Sequence, residues 1–300
     1  MVKIYRSDKA GQKIIETYDL LLARWDCEII EHDVQTKYGA THVIETGTKD
    51  GEPIILFHGV GDDSALMWVY NAKALGEHYH IYAIDTIGGP GKSRPNENYN
   101  KDFSDVLWID EILSNFGIQK AYFIGVSHGG YQVQLYSLKR PEKVIKAISI
   151  AWTVPVKRKR KASDLFKTFL PEALCPTDKN VIKLLKKLSG KNYAVFTEDE
   201  LILLHYKYLI RGMNNMAMKY HNVHDFTLNE VDQIRDKVVY LAGEDDPFQI
   251  IGGKAALLDN KMNVVFYEGA GHGLNHELAD EINSKILALF FKANAHMSLN

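Results

Sequence analysis

Apolar residues along this chain of 300 residues fall into two kinds of run. Short continuous runs rich in Val, Ile, Leu, Phe and Tyr, bounded by glycine, proline or charge, predict buried strands at residues 53–57, 80–85, 121–126, 144–152, 238–243 and 263–268. Between them apolar residues recur at helical spacing over 64–75, 103–116, 130–139, 247–258 and 275–291. Strands alternating with helices are the mark of parallel β-α-β units and an α/β fold. Ahead of these, residues 14–25 predict a helix packed on the body, and residues 27–34 and 40–45 a strand pair around Tyr38-Gly39.

The alternation stops at Thr153 and resumes at Val238. No strand signal interrupts 153–227, a Lys-rich stretch that predicts helices at 162–169, 179–188 and 198–211. Thr197 and Glu200 have the spacing of a capping box at the start of the last of these. This stretch reads as a helical cap inserted over the strand ends, with residues 1–152 and 228–300 forming the core beneath it. Phe166, Phe169, Tyr206, Met213 and Met216 are candidates to line a pocket under the cap, the plainer role for each being to pack cap against body. The basic run Lys157 to Lys161 reads as a solvated hinge, with electrostatic attraction of anionic substrates as a weaker alternative.

Composition narrows the class. A 46% hydrophobic content supplies one large core, and a formal charge of −2 argues against nucleic acid as a partner. The first residues carry no apolar run of signal-peptide type, and no apolar segment reaches membrane-spanning length. Cys27 and Cys175, far apart, do not make a disulfide framework. The expectation is a cytoplasmic protein without a membrane partner. No dinucleotide fingerprint or metal-ligand cluster stands out, so no cofactor and no metal are expected. Gly88-Gly89-Pro90-Gly91-Lys92-Ser93 lacks the spacing of a phosphate-binding loop and reads as a turn.

The chemistry concentrates at Gly125-Val126-Ser127-His128-Gly129, where a strand runs directly into a helical pattern. Such a strand–turn–helix junction holds a serine in strained geometry above a sheet, a nucleophile elbow. The bland alternative is a helix-capping serine. A serine hydroxyl needs a base and an oxyanion site to act. In this order of elements the acid follows the serine and the histidine follows the acid. Asp245 and Asp246 lie just past one strand; Asp246 is favoured because Pro247 holds it toward extended geometry. His272 lies between glycines one strand later, with His276 the weaker candidate. The oxyanion donors expected are the backbone amides of His128, after the serine, and of Val60, in His58-Gly59-Val60-Gly61 after the strand at 53–57.

With these landmarks the chain resembles the α/β-hydrolase superfamily over nearly its whole length. Asp85-Thr-Ile-Gly-Gly-Pro-Gly-Lys-Ser93 is one residue longer than the loop common members carry. That spacing, with the N-terminal helix, resembles a branch of bacterial carboxylesterases that includes the naproxen-type esterases of bacilli. The resemblance implies the α/β-hydrolase fold, a mostly parallel central sheet flanked by helices with an inserted cap. It also implies a Ser127–Asp246–His272 triad with Val60 and His128 as oxyanion donors, and hydrolysis of small carboxylic esters. A different class stays open: a small-molecule receptor or signalling protein on the same scaffold, with slow or incidental hydrolysis.

Overall fold

The structure, a computed structural model, describes residues 2–157, 172 and 174–297. Its strands are β1 (Ile29–Thr36), β2 (Gly39–Gly47), β3 (Pro53–Phe57), β4 (His80–Ile84), β5 (Arg94–Pro95), β6 (Ala121–Val126), β7 (Val144–Ile150), β8 (Val238–Gly243) and β9 (Asn263–Tyr267). They form one sheet in the order β1-β2-β4-β3-β6-β7-β8-β9, with β5 paired to the edge of β2. β1, β2 and β4 pair antiparallel; from β4 through β9 every pairing is parallel. A parallel sheet is covered on both faces, which is why its strands read as unbroken apolar runs. Alternate residues duly enter two different cores. Ile54, Leu56, Ile124 and Leu241 lie on one side, and Ile55, Phe57, Phe123 and Tyr240 on the other.

The described helices are α1 (Asp8–Leu22), α2 (Ser64–Met67), α3 (Ala72–Gly76), α4 (Asp105–Asn115), α5 (His128–Lys139), α6 (Asp178–Leu188), α7 (Ala194–Thr197), α8 (Glu200–Gly212), α9 (Leu228–Ile234), α10 (Lys254–Asp259), α11 (Leu274–Glu277) and α12 (Ala279–Met297). Three predicted helices are broken. Residues 64–75 split into α2 and α3, where Trp68 leaves helical geometry at φ −110° and ψ 11°. Residues 275–291 split at Leu278, at φ −131° and ψ 42°. Over 247–258 a π-turn at Gln249–Gly253 precedes α10. The capping box expected at Thr197 and Glu200 is not formed. Thr197 ends α7, and Asp199 caps α8 by accepting from the Leu201 and Ile202 amides. A complete box instead starts α9, at Thr227 and Glu230.

Between β7 and β8 the chain leaves the sheet and returns where Val156 bridges to Phe226. α6, α7 and α8 lie in this excursion, and α8 packs along α1. The predicted helix at 162–169, with Phe166, Phe169 and the basic residues 158–161, lies outside the described residues. Cys27 and Cys175 are both free thiols. No described helix is long and apolar enough to cross a membrane.

Candidate active site

β6 ends at Val126 and α5 begins at His128, so one residue makes the turn. Ser127 has φ 54° and ψ −120°, a region that L-residues rarely adopt. Backbone bonds on both sides fix it: its N–H donates to the Ile150 carbonyl at 2.8 Å, and the Tyr131 N–H donates to its carbonyl. Gly125 and Gly129 are demanded by crowding. A Cβ on Gly125 would sit 2.0 Å from the Gly129 oxygen, and one on Gly129 would sit 2.4 Å from the Phe57 oxygen.

The two aspartates after β8 separate clearly. Asp245 is exposed. Asp246 is fully buried, with one carboxylate oxygen accepting from the Phe248 amide at 2.8 Å. Its other oxygen lies 3.0 Å from Nδ1 of His272. Burial by itself lowers the His272 pKa, but the charge and hydrogen bond of Asp246 outweigh it and raise the ring above its ordinary value. The Phe248 ring packs on the imidazole at 4.8 Å between centroids. His276 is not part of this pair. Its Nε2 lies 3.0 Å from the Leu66 carbonyl, and burial drops its pKa to about 4.

The glycines around His272 serve a contact that spacing did not reveal. The Leu188 carbonyl accepts from the His272 amide at 2.6 Å, and the Gly269 carbonyl accepts from the Lys191 amide at 2.7 Å. A Cβ on Gly190 would lie 2.0 Å from the Gly269 oxygen, and one on Gly271 would lie 2.4 Å from Ser189. The chain after α6 thus lies backbone to backbone on the histidine loop. Glu277 clasps both, accepting from the Gly190 and Gly271 amides.

Ser127 and His272 open onto a two-lobed cavity. The larger lobe, about 570 Å³, is lined by Val60, His128, Trp152, Leu184 and Phe248 among others. The smaller, about 80 Å³, runs between Met67, Phe196 and α11. Asp62, Leu185, Leu188 and Tyr206 belong to both and form the waist. Among the described residues none accepts a hydrogen bond from the Val60 or His128 amide, so both donors are free on the larger lobe. Of the pocket candidates, Tyr206 lines the cavity. Met213 and Met216 do not: Met213 is buried in a bridge with Tyr5, and Met216 is exposed.

Asp62 had no signal in the sequence, because aspartate beside glycine reads as turn punctuation. It lines the cavity beside Ser127 and Tyr206, and its pKa is pushed up to about 7 by burial and by Asp63. Its neighbour Asp63 turns the other way. It accepts from the Leu66 amide to cap α2 and pairs with His205 of α8 at 2.7 Å.

Beneath the elbow, Asp105, His128 and His221 bring potential metal-ligating atoms within 4.8 Å of one another. His221 is committed on both nitrogens, to Asp105 at 2.6 Å and to the Ile87 carbonyl at 2.7 Å. Burial lowers its pKa, yet Asp105 raises it above the ordinary value, so the two form a buried ion pair. Burial and that positive neighbour push His128 down to about 4. Asp85 anchors the glycine turn that precedes β5, accepting from the Lys92 and Ser64 amides and the Tyr18 hydroxyl.

A strand-borne serine at positive φ, an acid–histidine pair and a mostly parallel sheet are features of the α/β-hydrolase fold, and the chain has that fold. A family model described as alpha/beta hydrolase fold matches residues 52–169. Among proteins of that fold it resembles carboxylesterases of Bacillus subtilis. It is 25% identical to carboxylesterase YbfK over 93% of this chain and 94% of that protein. It is 28% identical to the uncharacterized carboxylesterase nap, over 96% and 95%. Its structure superposes on naproxen esterase of Bacillus subtilis with a TM-score of 0.80 and 25% identity, covering 95% of this chain and 99% of the other.

Proposed function

We propose that this protein is a serine hydrolase that cleaves small carboxylic esters through an acyl-enzyme. The observation that carries the reading is the buried Asp246–His272 pair opening onto the same cavity as the strained Ser127. Neutral His272 accepts the Ser127 proton as Oγ attacks the ester carbonyl. Asp246 holds the ring with its proton on Nδ1 and stabilises the imidazolium that forms. The tetrahedral oxyanion lies against the free Val60 and His128 amides. His272 then protonates the leaving alcohol as the C–O bond breaks. Water, deprotonated by the same ring, releases the acid. Residues 153–227 act as a cap in this reading, because α6 and α8 wall the cavity above the serine and thereby select the ester. No metal or cofactor takes part in these steps.

A series of p-nitrophenyl esters of increasing acyl length, with mass spectrometry after a fluorophosphonate, tests the reaction. Ester turnover and a single adduct on Ser127 are expected. Ser127→Ala should lower kcat on the order of 10³-fold or more while the fold survives. Comparable kcat in the two proteins overturns the serine route.

A further inference from the structure

Three residues that line the smaller lobe carry polar atoms that the proposed reaction does not use. Asp62, Asn275 and His276 line it, and Oδ1 of Asp62, Oδ1 of Asn275 and Nδ1 of His276 are buried without a partner. Their remaining atoms fix the character of each. The amide nitrogen of Asn275 donates to the Met67 carbonyl at 2.9 Å, which leaves its free oxygen as an acceptor. Nε2 of His276 faces the Leu66 carbonyl, so the proton sits there and the free Nδ1 presents a lone pair. Oδ1 of Asp62 is left without a partner beside Tyr206. Met67, Val126, Leu185, Leu188 and Phe196 supply apolar wall, and Ser189 beside them has its hydroxyl tied to the Leu185 carbonyl.

Two unmatched acceptors, Oδ1 of Asn275 and Nδ1 of His276, and a carboxyl raised to about 7 that can accept or donate are costly beside one small lobe unless a ligand meets them. We propose that this lobe is a subsite for the hydroxylated end of an ester substrate, held by Asp62, Asn275 and His276. The proposal rests on the serine-esterase reading above and names its substrate class. A hydroxyl suits the lobe better than a cation: the His276 ring is kept neutral by burial, and Asp62 is pushed up to about 7. A site of this kind discriminates strongly, because an isostere without the donor leaves buried acceptors unpaired.

The test compares matched pairs that differ by hydroxyl against methyl. On the acyl side these are p-nitrophenyl 3-hydroxybutanoate and 3-methylbutanoate; on the alcohol side, 2-hydroxyethyl and propyl butanoate. kcat/KM is measured for the intact protein, corrected for the alkaline reactivity of each ester. Affinity is measured by calorimetry on Ser127→Ala. The hydroxyl member of at least one pair should be favoured by about tenfold or more, and His276→Phe and Asp62→Leu should each bring that ratio toward one. If either variant folds poorly, the ratio in the unmodified protein decides. A smaller preference in both pairs, by both measures, overturns the subsite. Equal turnover of both members leaves the serine reaction standing without it. A binding preference with no turnover leaves the subsite standing without the serine reaction.

Discussion

His272 can accept a proton only while neutral, and Asp246 opposes that neutrality. The carboxylate raises the ring above the ordinary histidine value of 6.5. kcat/KM should therefore fall as pH drops through a value above 6.5, where the ring becomes charged. Asp246→Asn should move that acidic limb to lower pH and cut kcat by up to about 10⁴-fold, since the proton is no longer held on Nδ1. Asp245→Asn, at an exposed position, should change neither. His276 gives a second pH signature, read in stability. Buried neutral down to about pH 4, it takes up a proton near 6.5 only when the chain unfolds. The unfolded state then binds more protons between about 6.5 and 4, and stability falls as pH falls across that window. Asp62, raised to about 7, works in the opposite sense, gaining stability as pH falls from about 7 to 3.8. The melting temperature of His276→Phe, whatever its value at pH 8, should therefore decline less between pH 6.5 and 4 than that of the parent protein. Residue by residue, the sequence was readable where glycines flank the serine that turns strand into helix. Steric demand at Gly125 and Gly129 leaves no other residue possible, whereas Asp62 and Asn275 owe their roles to neighbours far away in the chain.

Elements were readable where the sheet buries them on both faces. Strands β3, β4, β6 and β8 match their predicted runs within a residue, because any polar side chain there would lie in one of two cores. Helix interruptions were not readable. Trp68 and Leu278 continue the apolar spacing while their backbone turns, and it is packing, not propensity, that sets those breaks. The contact of the α6–α7 connection with the histidine loop was likewise invisible, since Ser189-Gly190 there looks like ordinary loop sequence. It has a consequence for the reaction. Gly190→Ala places a methyl group 2.0 Å from the Gly269 oxygen, and backbone must move. The displaced loop carries His272, so kcat should fall about 10²-fold, in line with small misplacement of a reacting group. KM should change less, because the apolar walls of the cavity come from other residues. An unchanged kcat would mean that the connection yields instead of the histidine loop.

At the scale of the whole molecule, α1 ties together parts that are far apart in the chain. Thr17 lies 2.6 Å from Nδ1 of His205 on α8, whose Nε2 is 2.7 Å from Asp63. Tyr18 donates to Asp85, and Trp25, just beyond the helix, donates to the Ala65 carbonyl of α2. The first helix, α8 and the loop that carries Val60 are thus joined through one sealed hydrogen-bond chain, with both His205 and Asp63 side chains wholly buried. Burial alone would raise the Asp63 pKa, but His205 and the Leu66 amide hold it below the usual carboxylate range. Its contribution is present above pH 3.8 and lost as pH falls through the lower folded value. Removing one member of such a buried pair strands the other. His205→Leu should lower unfolding stability by about 3–5 kcal/mol in urea titrations at pH 7. Adding Asp63→Asn, which keeps an oxygen for the Leu66 amide but removes the charge, should recover part of that loss. If the double variant is less stable than His205→Leu alone, the stranded carboxylate is not the source of the cost. The link between α1, α8 and the loop that carries Val60 would then rest on packing instead of on this chain of hydrogen bonds.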